Sequence, residues 1–191
     1  YIFQGGKSAC CKTKISIQYP IIEFVTGLLA VFTFLHTMNW PDFLIWFCLF
    51  VAPMIVLTII DFKLMILPDV ITLPFIAVGV VVHAYMMYPN ISDAMIDSAI
   101  GVIGGGGGLL LLAEIVSRIK GQDAMGGGDI KLMGMFGAFF GWKPLPFILF
   151  ASAFFALFYI ILVFPFRKDK EEKAFPYGPF LCMAALLFLY Y

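Results

Sequence analysis

Two short stretches carry the residues that could do chemistry. One is Asp61 to Asp69, with acids at both ends; the other is Gly126-Gly127-Gly128-Asp129. Each puts a carboxylate where a long apolar run meets a short loop. A charged carboxylate loses hydration at such a boundary, so acids placed there point to function before packing. If two of them met, they could handle a water molecule between them. One would take a proton from it while the other gave a proton to a carbonyl. Such a pair shares one proton, because both cannot ionise cheaply. Gly126, Gly127 and Gly128 have no side chains, so an extended substrate could pass close to the backbone and hydrogen-bond with it. Asp61 and Asp129 are therefore the candidate catalytic pair.

Other polar residues have plainer readings. Asp69 follows Pro68, an ordinary way to start a helix, and is expected to cap or support, or to assist at the site. Lys131 lies two residues beyond Asp129, so on a helix it should point away from it. It is expected to snorkel to headgroups or to pair with another acid in support of the site. Glu23 and Glu114 fall near the ends of apolar runs and read as boundary or polar-network residues. His36 and His83 lie in different apolar runs without ligand-spaced partners, so no metal site is expected.

These residues are set among apolar segments. Of 191 residues, 62% are hydrophobic and 13% charged, and the mean hydropathy is +1.00. Such a chain cannot clothe itself in polar groups and belongs in a bilayer, where a helical span takes about 20 apolar residues. Apolar runs at about 21–39, 43–60, 70–88, 94–117, 129–142, 145–165 and 175–190 predict an all-α, polytopic transmembrane bundle of about seven spans, the fifth and seventh short. Residues 1–6 resemble a tag-cleavage remnant and are set aside. Residues 7–19 read as the tail of a cytoplasmic loop, and 20–191 as the membrane domain.

Acidic and basic residues number 12 each, so net charge gives no reason to expect nucleic acid. The placement of the charges is informative. If seven spans alternate, Lys7, Lys12, Lys14, Lys63, Arg118, Lys120, Arg167, Lys168, Lys170 and Lys173 share one side. The positive-inside rule makes that side cytoplasmic. Asp61 and Asp129, 68 residues apart, then lie in the same leaflet. Gly101, Gly105 and Gly108, and likewise Gly134, Gly137 and Gly141, recur at helical spacing, which lets helices approach closely in lipid. The run Gly104–Gly108 should weaken its helix locally.

The longer patterns are more specific than G-x-G-D alone. D-x-x-x-x-x-L-P-D-x-I-T-L-P at Asp61–Pro74 and M-G-G-G-D-I-K-L-M-x-x-x-G-A-x-x-G-W at Met125–Trp142 resemble the type IV prepilin peptidases. So do Phe175–Phe180, Cys11–Ser16 and the Tyr19–Glu23 block. The resemblance implies an N-terminally truncated member of a family of GxGD-type aspartyl proteases of the bacterial inner membrane. These cut the basic leader from prepilins and pseudopilins at the cytoplasmic face, in type IV pilus and type II secretion systems. It assigns Asp61 and Asp129 as catalytic, with Asp69, Gly126, Gly127, Gly128, Lys131 and Glu23 as binding or support. No cofactor is implied for proteolysis. Zinc and S-adenosylmethionine belong to longer, methylating members with paired C-x-x-C motifs, of which this chain keeps only Ser8-Ala9-Cys10-Cys11.

Three other readings stay open at this point. A presenilin-like protease would have Tyr before its first Asp, where this chain has Ile60. A proton or cation pathway would place its acids near mid-membrane. A purely structural membrane anchor would leave the two acid motifs unexplained.

Overall fold

The computed structural model describes residues 10, 16–121, 125–163 and 176–191, and every regular element among them is helical. The expectations on residues 1–6, the paired-cysteine remnant around Cys11, the Arg167–Lys173 loop and Phe175 lie outside the described residues. The helices are α1 (Gln18–Thr37), α2 (Trp40–Trp46), α3 (Ala52–Leu64), α4 (Asp69–Met86), α5 (Ile91–Val102), α6 (Gly108–Lys120), α7 (Gly127–Phe140), α8 (Leu145–Val163) and α9 (Gly178–Tyr190). Wider π-helical turns occupy Phe47–Val51 and Ile103–Gly107. The second coincides with the glycine run expected to weaken its helix. The backbone there loosens into a wider turn without breaking.

Among the described residues, five stretches are long and apolar enough to cross a bilayer: Gln18–Thr37, Trp40–Leu64, Asp69–Met86, Ile91–Ile119 and Leu145–Leu162. The fifth and seventh expected spans are the short helices α7 and α9, of 14 and 13 residues. At 1.5 Å per residue α7 is only about 21 Å long. Large apolar side chains lie open on the outside, such as Phe150 at 81% and Phe154 at 66% exposure on α8. Water would penalise that surface, whereas acyl chains match it.

Two compact units divide the chain, one through Ala52 and one from Pro53 onward. In the first, α1 ends at Met38, whose left-handed backbone (φ 51°) lets its N–H bond to the Phe34 carbonyl at 2.8 Å. Rings of Phe34, Trp40, Phe43 and Phe47 pack together there, Phe34 tilted on Trp40 and edge-on to Phe43, and Phe43 stacked on Phe47.

The second unit is built around α7, which is buried continuously from Leu132 to Phe139. Glycines make this possible. A Cβ on Gly137 would run into the Gly101 carbonyl of α5, and one on Gly79 of α4 would stand 2.6 Å from the Phe139 ring. Small residues here let helix backbones touch, the close packing that association in lipid requires. The expected stripe is only partly used. Gly101 and Gly105 meet α7, but Gly108 faces open space, and Gly141 (φ 75°) lies past the end of α7 beside His83 and Asp97. The same crossing is tied by a buried polar bridge. Ser98 Oγ donates to the Ala138 carbonyl at 3.0 Å and lies 3.0 Å from His83 Nδ1, joining α4, α5 and α7.

Candidate active site

Asp61 sits in the last turn of α3 and is 5% exposed. The helix stops three residues later because Met65 takes a left-handed conformation (φ 54°), unusual for a residue with a side chain. That turn sends Ile66, Leu67 and Pro68 back toward α4, which opens at Asp69. On the other wall, Gly126 is extended (φ −67°, ψ 136°), α7 starts at Gly127, and Asp129 falls in its first turn.

These segments enclose a cavity of about 260 Å³. Its lining includes Asp61, Asp69, Gly126, Gly127, Gly128, Asp129 and Lys131. Asp61 and Asp129 are close enough to interact electrostatically. Asp61 Oδ2 is buried and has no hydrogen-bond partner among the described residues.

The three glycines differ in what they do. A Cβ on Gly128 would stand 2.8 Å from the Leu67 Cβ, whereas Gly127 has open space around it. Gly128 is therefore fixed by packing, while Gly126 and Gly127 leave backbone bare along the cavity. Lys131 was expected to point away from Asp129, yet both line the same cavity. Its long stem carries the ammonium to Asp69, with Nζ 2.6 Å from Oδ1. Asp69 makes no side-chain cap for α4. Glu23 is exposed on α1 and is not among the residues that line the cavity.

Sequence reasoning missed a third wall, the start of α9. Gly178 packs against Asp61 so closely that a Cβ would stand 2.7 Å from Oδ2. Leu67, only 7% exposed, wedges between Gly128 and Gly178 and so joins the α3–α4 turn to α7 and α9. One turn along α9, Cys182 is buried beside Thr58 of α3 and within electrostatic reach of both acids. Tyr177, another electrostatic neighbour of Asp129, is anchored through its hydroxyl, 2.7 Å from Ser152 Oγ. Ser152 in turn donates to the Leu149 carbonyl at 2.8 Å. The signal for this wall was the Phe175–Phe180 block, which resembles a family signature but names no contact to either acid.

Residues 48–161, which hold both acid motifs, match the type IV leader peptidase family. The chain belongs to that family. Residues 1–37 also match the bacterial peptidase A24 N-terminal domain, so Glu23 falls in a different matched segment from the acids. The chain is similar to proteins named prepilin leader peptidase/N-methyltransferase. It is 29% identical to that of Pectobacterium carotovorum over 97% of this chain and 65% of the relative. To that of Aeromonas salmonicida it is 31% identical, over 99% and 63%. To that of Neisseria gonorrhoeae it is 32% identical, over 96% and 61%. This family member thus spans slightly less than two thirds of the length of those relatives. No solved structure matches it.

Proposed function

We propose that this chain is an intramembrane aspartyl endopeptidase that removes the basic leader from type IV prepilins and pseudopilins. The observation that carries the proposal is the shared cavity. Acids from two motifs 68 residues apart border one space. Membership of a leader peptidase family and the prepilin peptidase names of the relatives support the substrate class.

In the reaction, one carboxylate of the Asp61–Asp129 pair accepts a proton from water as its oxygen bonds to the scissile carbonyl carbon. The other carboxyl gives its proton to the carbonyl oxygen. The tetrahedral diol then collapses: one hydroxyl returns its proton to the pair's carboxylate as the C=O bond re-forms, the C–N bond breaks, and the departing amine takes the proton of the pair's carboxyl. The pair holds one proton before and after, so neither acid needs a fixed role. No cofactor takes part in these steps. Zinc and S-adenosylmethionine would serve only a longer, methylating form. By the positive-inside rule, the basic loops support a site at the cytoplasmic face of the bacterial inner membrane. There the substrate's apolar helix stays in lipid while its leader reaches the cavity.

Asp61→Asn and Asp129→Asn test this singly. Each keeps the side-chain shape and removes the titrating group, and each is expected to lower cleavage of a prepilin by at least about 10³-fold, scored by the mobility shift on a gel. Full cleavage by either variant refutes the pair.

A further inference from the structure

The Asp69–Lys131 pair lies at the same cavity but plays no part in the hydrolysis just described. Asp69 opens α4 and Lys131 is in the second turn of α7, so the bond joins the two walls that carry the loop and the glycines. The Lys131 side chain is 39% exposed and that of Asp69 54%. At that exposure water competes with both ions, and the contact is worth only about a few-fold in an equilibrium constant. It can open at little cost.

The charge around the cavity indicates what could open it. Its lining has three carboxylates, on Asp61, Asp69 and Asp129, against one ammonium, on Lys131. Even with one proton shared between Asp61 and Asp129, the balance is negative. An occupant with a cationic side chain is favoured there and an anionic one is repelled. We infer that Asp69 is a specificity residue that exchanges partners: on substrate entry its carboxylate leaves Lys131 and takes up a lysine or arginine side chain of the substrate. This rests on the peptidase reading above and deepens it. Treated as a sphere, the cavity is about 8 Å across. At about 3.3–3.6 Å per extended residue, the cation that Asp69 reads lies within about two residues of the scissile bond.

The exchange differs from a fixed tie in sign. If the pair only clasps α4 to α7, loss of either partner weakens the site in the same way. If Lys131 is a competitor for Asp69, losing it helps a cationic substrate, while losing Asp69 harms it. The experiment uses the whole chain in detergent micelles and substrates with Lys or Gln at each of the three positions on either side of the scissile bond. Wild type is expected to prefer Lys at one of those positions by about fivefold in kcat/KM, carried by KM. Asp69→Asn should remove that preference, bringing the Lys-to-Gln ratio of kcat/KM to about one. Lys131→Gln should lower KM for the Lys substrate. Equal losses on both substrates in the two variants, or no preference in the wild type, overturn the inference. Should Asp69→Asn fail to fold, the sign of the Lys131→Gln effect decides alone. If wild type cleaves none of the substrates, the peptidase reading fails instead.

Discussion

Gly178→Ala tests whether the start of α9 sets the position of Asp61. The added methyl carbon would stand 2.7 Å from Asp61 Oδ2 and 3.2 Å from its Cγ, with Leu67 Cδ1 at 3.4 Å closing another side. A comfortable carbon–oxygen contact begins at about 3.3 Å, so the overlap is about 0.6 Å. Asp61 is buried, and Leu67 is wedged against Gly128, so the strain is relieved by moving the carboxylate or the start of α9 by a comparable amount. A shift of that order in a reacting group lowers the rate by up to about 10²-fold, while overpacking costs about 1–3 kcal/mol of stability. The assay is the initial rate of prepilin cleavage by purified protein, beside thermal unfolding in the same detergent. Gly108→Ala is the control, because a Cβ there meets nothing within 4 Å. It should gain up to about 1 kcal/mol from helix propensity and keep its rate. If Gly178→Ala cleaves within about twofold of wild type, α9 does not position Asp61 and the three-walled description of the site is wrong.

Two further expectations concern packing. Leu67→Ala should open a void between Gly128 and Gly178 and lower stability by about 2–5 kcal/mol, read as a fall in melting temperature, with a loss of cleavage that persists below the melting transition. Gly137→Ala should force α7 away from α5, since its methyl meets the Gly101 backbone and not a yielding side chain; failure to recover folded protein from membranes is expected, and a wild-type melting temperature would show that the close crossing is not required.

The sequence made the helices visible because apolar run length reports directly on them. Asp61 and Asp129 were singled out for the same reason: a carboxylate stands out in an apolar setting. Boundaries were less legible. Residues 39–42 read as a connection, whereas α2 begins at Trp40 with Pro41 in its first turn, where the missing N–H is harmless. The run from Asp61 to Pro68 also read as a connection, but α3 continues to Leu64, so Asp61 is a buried helical residue. The contacts that complete the site were hidden. Leu67 looks like any apolar residue of a short loop, and nothing in its spacing says that two glycines from α7 and α9 leave it room. The Tyr177–Ser152 bond joins residues from different apolar runs and has no local signature. Lys131 does pair with another acid, as its spacing from Asp129 allowed, but that the acid is Asp69, 62 residues away, had no local signature.

The continuous burial of α7 bears on how the enzyme would experience its host membrane. This short rod is sheathed by α4, α5, α9 and the glycine-rich turn, and the acyl chains have little of it to grip. Stretching or thinning of the bilayer would be absorbed by the greasy periphery, such as α8, before it reached the core. Asp129 rides on the tip of that sheathed rod, so its alignment is insulated from changes in lipid chain length.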